Sequence, residues 1–375
     1  MSALHPHVDP DGLEEFSVVF TDRSLNHMSA KFQSVMREIS VLLREVYKAE
    51  GVAIVPGGGT YGMEAVARQF GRGAKVMVLR NGWFSYRWSQ IFETGSFAAG
   101  VDVVMARQTG NHAQAPYAPP PIAEVVARIR ETKPDVVFAP HVETSAGIIL
   151  PDDYITATAD AAHEVGALMV LDCIASGCVW VDMAMTGVDV LISAPQKGWS
   201  ASPAAGLVML SARAEARLAT TVSDSFALDL KKWRSIMQAY EAGGHAYHAT
   251  MPTDALVDFL AAMRETEAMG FEVAKAAQWE LGRGVRAMMA AHGAPSVAAD
   301  GFAAPGVVVS YTADPEVQNG AKFRAQGVQI AAGVPLQVGE GAEFRTFRIG
   351  LFGLDKLADV PATLARLDRV VEQIL

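Results

Sequence analysis

Residues 194–200 read Ala194-Pro195-Gln196-Lys197-Gly198-Trp199-Ser200 and lie between two apolar runs, Val188-Asp189-Val190-Leu191-Ile192 and Gly206-Leu207-Val208-Met209-Leu210. Two short apolar runs bounded by turn residues read as buried strands. A lysine at the point where one strand ends and the next is about to begin is either a solvated loop residue or a covalent catalyst. The rest of the chain has to choose between them.

Outward from this turn, the same arrangement repeats. Val52-Ala53-Ile54-Val55-Pro56 leads into Gly57-Gly58-Gly59-Thr60-Tyr61-Gly62 and a helical pattern from Met63 to Phe70. Lys75–Leu79 leads into Arg80-Asn81-Gly82 and the aromatic residues Trp83, Phe84, Tyr86 and Trp88. Asp135–Ala139 precedes His141-Val142-Glu143-Thr144-Ser145-Ala146-Gly147, and Ala167–Leu171 ends in Asp172. Helical patterns separate these strands, with Phe32 to Val46 behind an N-cap at Ser29 and ending at Gly51, Ile122–Glu131, and Tyr154–Val165. Strands alternating with helices predict a mostly parallel sheet covered on both faces. Open α/β sheets bind ligands beyond the carboxyl ends of their strands, which is where these polar groups stand.

Length and composition agree with that class. The chain has 375 residues, 50 % of them apolar and 19 % charged, enough for a large core and more than one domain. Residues 1–22 read as an N-terminal segment with a short strand at Ser17–Phe20, 23–254 as a large domain, and 255–375 as a smaller one. Asp224 to Thr253 reads as a connecting region. Two long helices, Ala255–Met269 and Val273–His292, lead to strands at Val307–Ser310 and Phe347–Gly350 and to a closing helix Leu357–Ile374. The net charge of −10 argues against nucleic acid and anionic membranes as partners. Cys173 and Cys178 have neither metal-ligand spacing nor a histidine cluster, and predict buried free thiols and no metal site. With no apolar run of membrane-spanning length and no basic leader, the expected location is the cytoplasm.

The glycine turn satisfies G-x-G-x-x-G, the dinucleotide fingerprint. That fold wants an acid after the next strand, whereas this chain has Arg80, so an NADP-dependent oxidoreductase stands as one reading. The other is a single phosphate at the positive end of a helix. A phosphate cradle, an amine at Lys197 and a carboxylate at Asp172 are together the requirements of pyridoxal phosphate chemistry.

On Gly59-Thr60-Tyr61-Gly62-Met63-Glu64, Asn81-Gly82-Trp83-Phe84, His141 to Gly147, Asp172 with Ala175-Ser176, Ser193 to Lys197, and Arg348-Ile349-Gly350-Leu351-Phe352-Gly353, the chain resembles the class V, fold-type I aminotransferases. Within them it is similar to the alanine–glyoxylate and serine–pyruvate group. The likeness runs from about Asn26 to the C-terminal helix. It implies a large domain of mostly parallel sheet flanked by helices, a smaller α+β C-terminal domain, and a pyridoxal 5'-phosphate cofactor.

The resemblance makes Lys197 the Schiff-base lysine and proton shuttle, and Asp172 the partner of the ring nitrogen. It gives Phe84 and Ile174 to the two ring faces, Thr144 to the ring hydroxyl, and Gly58, Gly59, Thr60 and Gln196 to the phosphate. Tyr247 and Thr250 would reach the phosphate of a neighbouring subunit, which implies a homodimer with shared active sites. Arg348 would clamp the substrate carboxylate. The implied reaction moves an amino group from a small amino acid, alanine or serine-like, to glyoxylate or pyruvate. The alternatives on the same fold are a lyase, a cysteine desulfurase or a racemase, or a binding module that has kept the fold.

The family often has serine where Gly58 stands. It also opens with a Pro-Gly-Pro segment that Phe16–Arg23 lacks. Trp199 puts a bulky ring beside the lysine, with no role assigned.

Overall fold

The computed structural model describes residues 13–375; residues 1–12 of the expected N-terminal segment lie outside them. The first helix, α1 (Ala30–Tyr47), begins at the Ser29 hydroxyl, which accepts the Phe32 N–H at 3.1 Å. Phe32, Val35, Met36, Ile39, Leu42 and Leu43 form its buried stripe. It ends at Lys48 in the left-handed region, φ 55°, three residues before Gly51, which instead opens strand β1 (Gly51–Pro56).

Seven strands form the main sheet. From one edge they run β1, Ala205–Leu210, Val190–Ser193, Leu168–Asp172, Val136–Pro140, β2 (Lys75–Arg80) and β3 (Gly100–Met105). Ala205–Leu210 is antiparallel to both neighbours, and the other six strands all point one way. Apart from β3 at the edge, the strands are almost wholly buried, as expected for parallel strands covered on both faces. Asp172 pairs in register with Ile192 on one side and Pro140 on the other. The segments that follow β1, β2, Val136–Pro140, Leu168–Asp172 and Val190–Ser193 therefore all emerge at the same edge.

This strand order corrects the dinucleotide reading. β1, before the glycine run, is an edge strand, and four strands separate it from β2, which carries Arg80. At about 4.8 Å per strand the gap is roughly 24 Å. Arg80 is also engaged elsewhere, donating to Ser89 Oγ at 2.8 Å and to the Gln337 carbonyl at 3.1 Å.

Other expectations shift locally. Helix α2 spans Gly59–Phe70, so Gly59 to Gly62 form its first turn rather than a loop before it. Gly62 allows close packing: a Cβ on the facing Gly206 would stand 2.7 Å from its Cα. Ser17–Phe20 is not a strand, because Ser17 Oγ accepts the Val19 and Phe20 N–H groups and Val18 is fully exposed. The expected connecting region contains a helix, Leu230–Glu241, whose N-cap Asp229 accepts from Lys232 N. The closing helix is two pieces, Leu354–Leu357 and Val360–Val371, interrupted where Asp359 caps the second and Pro361 enters its first turn.

Thr253–Met269 and Phe271–Ala291 are long helices, joined at Gly270 in the left-handed region, φ 91°. They precede a second sheet of Val307–Tyr311, Thr346–Gly350 and Ala331–Ala332, which is antiparallel throughout. Arg348 lies on its middle strand.

Candidate active site

At the carboxyl edge of the main sheet lies a cavity of about 250 Å³. Its walls include Gly59, Thr60, Phe84, Thr144, Asp172, Ile174, Gln196 and Lys197, all singled out from the sequence, together with Met63, Arg87, Val142 and Ala175.

Lys197 is held by a turn that tolerates no substitution at its neighbour: a Cβ on Gly198 would stand 2.0 Å from the Gly177 carbonyl oxygen. The lysine amine lies 5.1 Å from the Phe352 ring centroid. Burial, and then Arg348 and Arg87, pull it below the ordinary lysine range, the direction a neutral amine requires. Trp199, the next residue but one, faces the opposite way. It is fully buried against Trp180, Tyr47, Phe259 and Phe271, so the bulky ring is core and leaves the site clear.

Asp172 is the last residue of its strand and is buried. One oxygen accepts the Ile174 N–H at 2.9 Å. Burial pushes its carboxyl up to about 7, with Glu143 adding to the rise and Arg87 opposing it. Behind it, the His141 N–H donates to the Asp172 carbonyl oxygen at 2.8 Å, and His141 Nδ1 meets Ser176 Oγ at 2.6 Å. Burial takes that imidazole down to about 3, so it is neutral.

Phe84 is set by a second buried carboxylate. Helix α3 (Trp83–Gly95) follows β2, and Glu143 accepts the N–H groups of Phe84 and Ser85 at 3.2 and 2.9 Å. The hydroxyls of Ser85 and Ser145 donate to it at 2.7 and 2.6 Å, and the Ser145 N–H at 3.1 Å. Two guanidinium groups lie against the Phe84 ring, Arg87 at 5.0 Å and Arg348 at 5.4 Å. Arg348 also donates from Nε to the Ala332 carbonyl at 2.8 Å, which leaves its two Nη groups for a bidentate partner.

The residues fit pyridoxal phosphate on three observations. The start of α2 has no side-chain cap, so its first N–H groups are free to meet an anion. Gly59 lines the cavity with no side chain of its own, and a Cβ there would press on Ile174, at 2.5 Å from Cδ1. Gln196 Oε1 is buried without a partner, and rotating the amide presents its NH₂ to the cavity instead. Gly58 is the N-cap of α2, with nothing within 4 Å of a Cβ built on it.

Tyr247 and Thr250 are not in the cavity wall. They bond to each other at 3.1 Å, and Tyr247 is 54 % exposed. Sequence reasoning missed Arg87 and Phe352. Arg87 was detectable, since it follows Phe84 by three residues on a helix and so shares its face. Phe352 lies within a quoted motif but has no polar atom to single it out. Both cysteines are buried, which pushes the Cys173 thiol well up and that of Cys178 up to about 12; neither is a nucleophile in waiting.

No family model matches the chain. It is 27 % identical over 353 residues to the small subunit of a soluble hydrogenase from a Synechococcus strain, covering 93 % of this chain and 88 % of that one. It is 26 % identical over 355 residues to alanine–glyoxylate aminotransferase 1 of Saccharomyces cerevisiae, covering 88 % and 86 %. Among solved structures, an alanine–glyoxylate aminotransferase from Nostoc superposes with a TM-score of 0.77 at 21 % identity, over 92 % of this chain and 88 % of that one. Beside the hydrogenase subunit, the relatives by sequence and the neighbours by fold include alanine–glyoxylate and related class V aminotransferases, pyridoxal phosphate enzymes of fold-type I.

Proposed function

We propose that the chain is a pyridoxal-phosphate aminotransferase that moves an amino group from a small amino acid, such as alanine or serine, to a 2-oxo acid such as glyoxylate or pyruvate. One observation carries this reading: a single cavity gathers Lys197, Asp172 and the uncapped start of α2, with Arg348 beside Phe84. The cavity's side chains include an amine, a carboxylate, an amide and a guanidinium, the groups that pyridoxal phosphate chemistry calls for.

When bound, pyridoxal phosphate supplies an electron-accepting ring that acidifies the α-hydrogen of an attached amino acid. The chain's own residues do the rest. Lys197 would tether the cofactor, and its Nζ would be the base that takes the proton from the substrate α-carbon and later returns it. Burial, then Arg348 and Arg87, lower the basicity of that amine, the direction a proton acceptor requires. Asp172 would pair with the ring nitrogen and hold its proton there, a charge partner that favours the ionised carboxyl.

Phe84 and Ile174 bound the ring faces, and Thr144 bonds its hydroxyl. Gly58, Gly59, Thr60 and Gln196 hold the phosphate. Arg348 orients the substrate through its α-carboxylate, so that the α-hydrogen faces Lys197.

The reading includes a cytoplasmic homodimer, in which Tyr247 and Thr250 complete the partner's phosphate site; the exposure of Tyr247 and of Phe226, at 78 %, supports it. Among the described residues no helix is long and apolar enough to cross a membrane. We also take 23–254 and 255–375 as the large and small domains.

The test is to load the protein with cofactor and mix it with alanine, serine and aspartate. Replacement of the visible absorption band by that of the aminated cofactor, with one equivalent of oxo acid released, is the expected result. No spectral change with any amino acid would overturn the reading. Racemisation or ammonia release without the aminated cofactor would replace it by another reaction on the same fold.

A further inference from the structure

We propose that Arg87 is a ligand of the cofactor phosphate, supplying the full positive charge that this group meets at the start of α2. The proposal rests on the reading above, that pyridoxal phosphate occupies the cavity.

The charge balance points to it. A phosphate monoester carries about −1.5 to −2 charges near neutral pH. Gly58, Gly59, Thr60 and Gln196, and Tyr247 and Thr250 reaching across from a neighbouring subunit, are all neutral, and the α2 dipole is equivalent to only about half a charge. A dianion that has left water needs more than this. Two cations line the cavity, Lys197 and Arg87, and Arg348 lies beside it against Phe84. Lys197 is committed to the carbonyl end of the cofactor. Arg348 comes from the second sheet, where Ala332 holds it. Arg87 remains.

Its position suits the role. Arg87 donates from Nη1 to Thr60 Oγ1 at 3.1 Å, placing the guanidinium at the first turn of α2. It lines the cavity beside Gly59 and Thr60, and among the described residues no carboxylate forms an ion pair with it. Because the Thr60 hydroxyl accepts from Arg87, its own proton is free to donate to an anion. The guanidinium lies 5.0 Å from the centre of the Phe84 ring, a contact that holds the side chain's direction before any ligand arrives. Gly58 adds to the need: it has no hydroxyl to offer, and its neighbourhood is open.

The experiment compares two ligands that differ only in the phosphate. Binding of pyridoxal phosphate and of pyridoxal is titrated by absorbance against wild type, Arg87→Gln and Arg87→Lys, with the melting temperature of each cofactor-free protein as a control for folding. For Arg87→Gln we expect pyridoxal phosphate to bind about 10- to 100-fold more weakly, the loss of a charge-assisted bond. Pyridoxal should change less than about twofold. Arg87→Lys, which keeps the charge but not the fork, should fall between.

An equal loss for both ligands would overturn the proposal, since Arg87 would then act through Phe84 or the cavity as a whole. So would undiminished binding of pyridoxal phosphate. If wild type binds pyridoxal phosphate no more tightly than Arg87→Gln but still transaminates, only the proposal fails. If wild type binds neither ligand, the functional reading fails with it.

Discussion

Two buried carboxylates stand close to the cavity, and the protein treats them in opposite ways. Glu143 is fully buried and accepts five hydrogen bonds, from the N–H groups of Phe84, Ser85 and Ser145 and the hydroxyls of Ser85 and Ser145. Asp172 has one backbone bond, and burial pushes its carboxyl up to about 7. The helix starts differ in the same sense. α3 is capped by Glu143, while α2, which begins at Gly59, has no side chain at its N-terminus. Where the chain supplies its own anion or donors, the arrangement holds structure; where it leaves them open, it waits for a ligand.

Asp172→Asn breaks the contrast most severely. Turnover should fall about 10²- to 10³-fold, since the amide cannot hold the ring-nitrogen proton. The cofactor-free protein should respond in the other direction. An acid whose folded pKa is raised binds its proton more tightly in the native state, so its stabilising effect is present at low pH and is lost as pH rises from about 4 to 7. Asparagine cannot ionise. The variant should therefore be more stable than wild type at pH 8, by up to about 4 kcal/mol, and equal to it near pH 4. Denaturant unfolding at the two pH values checks this.

Glu143→Ala empties the filled helix start. It leaves buried donors at Phe84, Ser85 and Ser145 unmet, at a cost of about 3 kcal/mol, and calorimetry of the cofactor-free protein should show the loss. Gly59→Ala acts on the open start: its Cβ meets the movable end of Ile174. Cofactor affinity should fall about tenfold, with stability changed by less than about 1 kcal/mol. Gly58→Ser sharpens the contrast least. The site is extended, at φ −161°, and roomy, so an added hydroxyl should raise stability by only a few tenths of a kcal/mol and strengthen cofactor binding in a titration.

Much of this was legible in the sequence, for identifiable reasons. Parallel strands buried on both faces read as apolar runs, and a polar residue at the end of such a run has a determined place; Asp172 and Lys197 were read that way, and Thr144 from the family resemblance. Trp199 was not legible, because whether a ring at a turn faces core or cavity depends on Tyr47 and Phe271, distant in sequence. The helix at Leu230–Glu241 was legible too: Leu230, Trp233, Ile236, Met237 and Tyr240 recur at helical spacing behind the N-cap Asp229, with Lys231, Lys232 and Gln238 on the other face. Strand order, like the facing of Trp199, was out of reach: the glycine run admitted a dinucleotide until β1 proved to be an edge strand with four strands between it and β2. Tyr247 and Thr250 lie outside the cavity of this chain, and the role proposed for them is in a neighbouring subunit's site.

The most direct measurement is reductive trapping. The protein is loaded with pyridoxal phosphate, reduced with borohydride and digested, and the modified lysine is identified by mass spectrometry. Modification of Lys197, and its disappearance in Lys197→Ala along with the visible band, is the predicted result. A cofactor fixed on another lysine, or a Lys197→Ala protein that keeps the band, would contradict it.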